Sequence, residues 1–308
     1  MRAVTSLSQR VGISIPTRDR WDDLEVTLTH LHEQGYSSLE TIVVDDGSVV
    51  PMPSGFPERF PWVRFIRFEK PQGPCVRRNR IAEFLTPPLI LSLDDDSFPV
   101  AGSLEAACDW MEARPKVFSL SFQIVLRHES APENFASRTP FPVRDFIGCA
   151  SLLRREMFLA LGGYEESFIF FGEEPELCVR ALQQGFEMQG YPAFVIQHNV
   201  SPVHRDLAKR ATLLIRRESL VALVYYPFPC QSFRRALSCM PGYLYRNPEF
   251  RPYWRPMTVG LWQGIGDYLS GRYRKPRMTS AEFWAWKSMP IAPHVLMGLE
   301  AAGAKDFR

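Results

Sequence analysis

Apolar positions over the first 125 residues fall into two alternating kinds of segment. Short apolar runs rich in β-branched residues occupy positions 11–16, 41–44, 63–68, 89–93 and 117–125, and each has the length of a buried strand. Between them Trp21, Leu24, Leu28 and Leu31 recur at helical spacing until Gly35, and residues 76–84 and 103–112 also read as helices. Strands alternating with helices predict a mainly parallel sheet flanked by helices, with ligands bound beyond the carboxyl ends of the strands.

After Glu129 the pattern changes. A loop-rich stretch leads to Phe146-Ile147-Gly148, helices are expected near 154–161 and 175–184, and 193–196 is a strand-like apolar run. From Arg210 the chain reads as helical, rich in Trp and Arg, with proline breaks. The expected division is an α/β catalytic unit over 1–228 and a helical basic extension over 229–308. No window approaches the ~18 apolar residues of a membrane span. Residues 1–10 contain no apolar leader core, so the expected location is cytoplasmic. None of the six cysteines is spaced as CxxC, which argues against a zinc knuckle or thioredoxin-like site.

The net charge of +2 conceals an asymmetry: residues 205–308 carry +10 and the preceding residues −8. An acidic first part suits a bound cation and catalytic carboxylates. A basic last part, with Trp254, Trp262, Trp284 and Trp286 interleaved, suits either a solvated face or phosphate-rich material such as an anionic membrane surface or a polyprenyl diphosphate.

The acidic turns carry the candidate chemistry. Asp94-Asp95-Asp96 follows an apolar strand; adjacent carboxylates repel one another unless a cation, such as a hard divalent ion, lies among them. An acidic helix cap is the plainer alternative. Asp45-Asp46-Gly47-Ser48 is a second strand-end turn, suited either to a simple turn or to accepting hydrogen bonds from a base or ribose. Arg78 sits at a helix start and can pair with a diphosphate or with carboxylates. Glu173 and Glu174 precede Pro175 at another helix start, where the dipole favours ionised acids, one of them a candidate general base. His198, with His204 as a weaker rival, is a candidate metal ligand.

In their order along the chain these segments resemble glycosyltransferase family 2. Residues 13–20 (Ile-Ser-Ile-Pro-Thr-Arg-Asp-Arg) are similar to its first strand, and 41–48 to its nucleotide-contacting second strand and turn. Gly73-Pro74-Cys75-Val76-Arg77-Arg78-Asn79 resembles its Arg-Asn helix start, and 91–96 its DxD element. Gly162-Gly163-Tyr164, Gly172-Glu173-Glu174-Pro175 and His198 with Ser201 resemble its acceptor-side turn, its Glu-Asp element and a late His-x-x-Ser element.

The resemblance implies a GT-A fold, a nucleotide-diphosphosugar donor, a Mn²⁺ or Mg²⁺ ion and single-displacement inversion. It implies that Asp96, Asp94 and His198 hold the metal, and that Pro16, Thr17, Asp19, Asp45, Asp46, Ser48, Arg78, Asp94 and Asp95 contact the nucleotide sugar. Glu174 is the implied base, with Glu173 supporting the helix or touching the acceptor. A sugar or lipid-linked acceptor is the expected partner; peripheral membrane contact is expected from the basic, Trp-bearing last part of the chain, and nucleic acid is not expected. Segment 216–227 is similar to cell-surface polysaccharide enzymes, including rhamnosyltransferases.

Two positions depart from the family: Glu174 stands where Asp is usual, and Arg77 replaces a small residue, which alters the donor pocket or only adds surface charge. A catalytically inactive nucleotide-sugar-binding regulator is the alternative; the carboxylate at 174 argues against it. No Gly-rich phosphate loop or GxGxxG follows the first strand, against a nucleotidyltransferase or dinucleotide-binding oxidoreductase.

Overall fold

The computed structural model describes residues 6–168, 173–201, 203 and 206–292. A short helix α1 (Leu7–Arg10) leads into β1 (Val11–Thr17), which is buried at every position. Then follow α2 (Trp21–Glu33), β2 (Glu40–Asp46), α3 (Phe56–Arg59), β3 (Val63–Phe68), α4 (Pro74–Phe84), β4 (Leu89–Leu93), β5 (Ser97–Gly102), α5 (Leu104–Glu112) and β6 (Val117–Leu126). The second half has β7 (Phe141–Pro142), β8 (Ala150–Arg154), α6 (Arg155–Ala160), α7 (Glu173–Gln183) and β9 (Glu187–His198). Four helices close the described chain: α8 (Leu207–Tyr225), α9 (Cys230–Arg246), α10 (Trp254–Leu269) and α11 (Ser280–Ser288).

One sheet runs in the order β3-β2-β1-β4-β8-β6-β9-β5, with β7 beside β9. The first four strands in that order pair in parallel, as the strand–helix alternation predicts. β8 is antiparallel to both its neighbours, and β5 and β7 are antiparallel to β9. β6 and β9 pair in parallel, so the sheet is mixed and flanked by helices, with a larger antiparallel share than the strand–helix alternation alone suggests. The two longer strands absent from the sequence reading are the reason. β5 contains Pro99 and pairs across an irregularity at Pro99/Ala101, which hides its alternation, and β8 is five residues long and runs directly into α6.

Side chains leave a strand on alternate faces, and the sheet uses both. Leu89, Leu91 and Leu93 of β4 join Leu24, Leu28 and Met111 in one core, while Ile90 joins Ile42, Val44, Ile81 and Leu177 in another. Helices α2 and α5 cover the first face, α4, α6 and α7 the second.

The C-terminal helices form a separate cluster. Leu223 and Tyr225 of α8 pack with Phe283 and Trp286 of α11 and with Phe168 and Val179 of the α/β unit. α8 and α10 approach closely at Gly260 and Gly264, where an added Cβ would lie 2.1 Å from Thr212 O and from Ser219 Oγ respectively. α11 is tied to the loop before β8: Trp286 Nε1 donates to Arg144 O (3.2 Å) and Arg144 N to Pro290 O (3.0 Å). No helix among the described residues is long and apolar enough to cross a membrane.

Candidate active site

The carboxyl ends of β1, β2 and β4 open into one cleft of about 1690 Å³, lined by Pro16, Thr17, Asp46, Asp94, Asp95 and Asp96, and further along by α7, α8, α9 and α11. Parallel strands bring their last residues to one edge, so side chains 80 positions apart meet there.

The three adjacent aspartates have three different environments. Asp95 is buried; its carboxylate accepts from Thr17 Oγ1 (2.8 Å) and Arg20 Nη1 (2.9 Å), and its carbonyl from Thr27 Oγ1 (2.8 Å). Burial pushes its pKa up to about 7, against the pull of Arg20 and with the push of Asp96 and Asp94. Asp96 goes the other way, to about 2: burial raises it, but His198, the Ser201 amide and Arg20 outweigh burial. Ser201 N donates to Asp96 Oδ2 at 2.8 Å. Asp94 is a third exposed and pairs with Arg78.

Asp96 Oδ1 lies 3.1 Å from His198 Nε2, yet it is buried without an aligned hydrogen-bond donor. His198 is raised to about 11; burial lowers it, and Cys149 and Asp96 more than compensate. Ligand atoms of Asp94, Cys149 and His198 lie within 4.8 Å of one another, with Cys149 Sγ 3.8 Å from His198 Nδ1. A buried carboxylate oxygen in ion-pair reach of an imidazole, beside a second carboxylate and a thiol, is a donor set that fits a divalent cation. Cys149 and Arg20 are not among the expected site residues: Arg20 closes the first-strand segment with nothing in sequence to point it at Asp95, and Cys149 is 49 residues from its imidazole neighbour. His204 lies outside the described residues.

Asp46 accepts from the amides of Gln72 and Gly73 (2.8 Å each) and from Arg77 Nε (2.5 Å), so it clamps the start of α4. Arg77 is 1% exposed and lies over Phe68, its guanidinium carbon 4.1 Å from the ring centre. It does not line the cleft itself but holds Asp46, which does, and being buried it adds no surface charge. Arg78 is next to it, buried, with Nε unpartnered. Asn79 closes the register of α4 by exchanging hydrogen bonds with Tyr164 (2.8 and 2.9 Å), in the Gly-Gly-aromatic turn.

Asp19, Asp45 and Ser48 behave differently. Asp45 accepts from Ser48 N (2.8 Å) and Oγ (2.5 Å) and pairs with Arg67 (2.7 Å). Asp19, in a left-handed conformation (φ 55°), accepts from the amides of Val49 and Val50 (2.6 and 2.8 Å) and donates its own amide to Ser48 Oγ (2.8 Å). The three lock the loops after β1 and β2 together, and none lines the cleft.

Glu173 and Glu174 open α7 and both line the cleft. Glu174 is half-buried, and its Oε1 accepts from Gly148 N at 3.1 Å. A Cβ at Gly148 would come within 3.0 Å of that oxygen and 3.3 Å of Arg78 Cζ, so glycine there lets the acid and the guanidinium share one corner. Glu173 is 3% exposed with Oε2 unpartnered, and burial, helped by the charge of Glu174, raises its pKa to about 8. The two side chains part, as a helix start requires. Glu176, one turn inward, pairs with Arg180 and accepts from Tyr225 OH, joining α7 to α8.

A family model described as glycosyl transferase family 2 matches residues 13–162, and one described as the N-terminal domain of galactosyltransferase matches 133–205. A pre-mycofactocin glycosyltransferase of Mycobacterium tuberculosis is 27% identical over 218 residues, which is 65% of this chain. The matched region spans only 45% of that relative's length. Among solved structures, GalNAc-T7 with UDP, GalNAc and Mn²⁺ superposes with a TM-score of 0.59 at 13% identity, over 87% of this chain and 59% of the other. S. aureus TarS 1-349 with UDP-GlcNAc gives 0.57 at 12% identity, over 85% and 83%. The mannosyltransferase PcManGT of Pyrobaculum calidifontis with GDP-Man and Mn²⁺ gives 0.50 at 18%, over 95% and 79%. A sheet of this order, acids at its strand ends and these matches together give the chain the GT-A fold, with residues 13–162 matching glycosyl transferase family 2.

Proposed function

We propose that the protein transfers one sugar from a nucleotide-diphosphosugar to an acceptor hydroxyl with inversion, using Mn²⁺ or Mg²⁺. The carrying observation is that Glu174 accepts from Gly148 N in the same corner of the cleft where Arg78, 3.3 Å from where a Cβ on Gly148 would stand, pairs with Asp94. This arrangement puts a carboxylate base beside the acids that fit the cation.

In this reading Asp96, Asp94 and His198 hold the ion, with Cys149 close enough to join them. When bound, the ion neutralises the leaving diphosphate. Arg78 and Arg20 supply fixed positive charge to the same end, and Arg77 keeps Asp46 and the start of α4 in register against the nucleoside. Glu174 accepts the acceptor's hydroxyl proton on the face of the sugar away from the diphosphate. Gly148 N fixes Oε1, so the second oxygen can take the proton. Buried Glu173, raised to about 8, is protonated at neutral pH and does not compete with Glu174 for the acceptor's proton.

The setting we infer is cell-surface polysaccharide or glycolipid assembly at the cytoplasmic face of a membrane. The similarity of segment 216–227 supports the former. The basic C-terminal region, with Trp254, Trp262 and Trp284 all at least half-exposed, supports peripheral contact; Trp286 is buried and packs α11. Screening UDP-, GDP- and dTDP-sugars for Mn²⁺-dependent hydrolysis and thermal stabilisation tests the reading. A donor that is turned over only with divalent metal is the expected result. Absence of binding or turnover across the panel, with or without metal, overturns it.

A further inference from the structure

The cleft continues past Glu174 into a region that the donor, metal and base do not use. Its walls there come from α8, α9 and α11, with Arg217, Arg235 and Lys287, and from the loop before β8, with Arg144. Glu218 stands among these cations and pairs with Arg217 (2.6 Å) and Arg235 (2.5 Å), which hold it down to about 2 despite its burial. Asp145, within electrostatic reach of Arg144 and Arg217, is a second acid here, and the two carboxylates are outnumbered by the four cations. Arg217 and Arg235 each keep a buried Nε without a hydrogen-bond partner. Arg144 lies over the Trp286 ring, 5.4 Å from its centre. Lys287 is lowered to about 8, by burial first and then by the charges of Arg144 and Arg235. An ammonium at the cleft rim that its neighbours repel marks a spot where an anion would be stabilised.

Guanidinium groups with free N–H edges match phosphate oxygens in pairs. The region is continuous with the base, since Arg217 acts electrostatically on Glu173, the neighbour of Glu174. We propose that this end of the cleft is the acceptor subsite and takes a phosphate-bearing acceptor. Arg144, Arg217, Arg235 and Lys287 hold its phosphate or diphosphate while its hydroxyl reaches Glu174. This rests on the transferase reading above.

The test is calorimetric titration of the full chain with inorganic pyrophosphate in EDTA, which removes the donor's metal. Arg144 and Lys287 make no ion pair among the described residues, so the double variant Arg144→Gln/Lys287→Gln leaves Glu218 and its partners in place. Two lost charge-assisted contacts predict pyrophosphate binding weaker by about tenfold or more, partly restored in Arg144→Gln by keeping Lys287. UDP and GDP binding with Mn²⁺ should be unchanged within about twofold, since charges at the far end act weakly through water.

Unaltered pyrophosphate affinity in the double variant overturns the proposal, as does complete displacement of pyrophosphate by UDP, which would place the anion at the donor end. Binding to phosphatidylglycerol vesicles without any pyrophosphate binding also overturns it, in favour of a membrane-facing surface. Farnesyl diphosphate binding at least about tenfold tighter than pyrophosphate identifies a lipid-linked acceptor; equal affinity identifies a phosphorylated glycan. Failure of the nucleotide-sugar screen would sink the transferase reading and leave this titration readable, because it uses no donor.

Discussion

The two ends of the cleft are built from different parts and held by different forces. At the donor end the sheet places the acids. β1, β2 and β4 end together, and Asp46, Asp94 and Asp95 each meet a fixed cation or amide. At the other end three helices and one loop bring cations around a single paired carboxylate. The sheet end is rigid because its positions follow from backbone pairing on both sides of each central strand. The helical end depends on how α8, α10 and α11 pack, and thus on contacts between residues 40 to 140 positions apart. An enzyme that keeps one half of its chemistry constant and varies its acceptor would place the constant half on strands and the variable half on helices.

The sharpest way to separate the ends is to remove one acid at the donor end. Asp96→Ala takes away the carboxylate nearest His198 and leaves the fold's hydrophobic layers untouched. Donor hydrolysis and sugar transfer should both fall by about 1000-fold or more, since a bound metal supplies several kcal/mol of transition-state stabilisation. Wild-type turnover by this variant, or by the wild-type enzyme in EDTA, would sink the metal assignment.

Glu174→Gln divides the ends differently. It keeps size and can still accept from Gly148 N, but it cannot take a proton. Transfer should fall about 100-fold, the scale of general-base loss, while donor affinity in the presence of Mn²⁺ stays near wild type. Glu173→Gln should lose far less. If Glu173→Gln is inactive and Glu174→Gln is active, the roles are exchanged; if both transfer normally, single displacement is wrong.

How much of this could be read from the chain follows the same division. The acids of the donor end were visible because each turn sits directly after an apolar strand, so sequence neighbours are also spatial neighbours. The strands expected at 63–68 and 89–93 coincide with the observed ones to the residue, because each apolar run is bounded by turn residues. Asp19, Asp45 and Ser48 are expected at the nucleotide, but among the described residues they bond to one another, to loop amides and, for Asp45, to Arg67, as short polar side chains at turns commonly do. Cys149 and Gly148 were invisible because β8 reaches the site from the antiparallel half of the sheet. The cations of α8, α9 and α11 show in the sequence only as an excess of charge, and Arg144 lies in the acidic part of the chain; nothing in their spacing says that Arg144 and Lys287 share a wall.

The packing of the helical end can be tested alone. Gly260→Ala adds a helix-favouring residue, worth ~1 kcal/mol in an exposed helix. Here the new Cβ would meet the Thr212 carbonyl at 2.1 Å, which the backbone of α8 cannot yield without moving. Overpacking of this kind costs ~1–3 kcal/mol, so the clash decides the sign. The variant should lose stability by about 1 kcal/mol or more in denaturant titration, with Mn²⁺-dependent nucleotide binding retained. A stabilised variant would mean that α8 and α10 are less tightly apposed than described, and that the two ends are less different than they look.

The smallest effect expected is at the boundary of the two ends, on Glu173. Its folded pKa is raised to about 8 by burial and by the charge of Glu174, whereas an unfolded Glu titrates near ~4.3. Between these values the folded chain holds a proton that the unfolded chain has released. Stability from this group is therefore fully present below the unfolded pKa and is lost as pH rises to about 8, then stays level. Glu173→Gln mimics the protonated acid at every pH and should remove that loss. At pH 5 the variant and the wild type should melt within about 1 °C of each other; at pH 9 the variant should melt higher by about 2 °C or more, each kcal/mol being worth ~2–4 °C in a chain of this size. A variant that melts lower than the wild type at pH 9 would show Glu173 to be ionised and favourably placed on the α7 dipole. The single negative charge that the proposed base needs beside Gly148 would then be shared by two carboxylates.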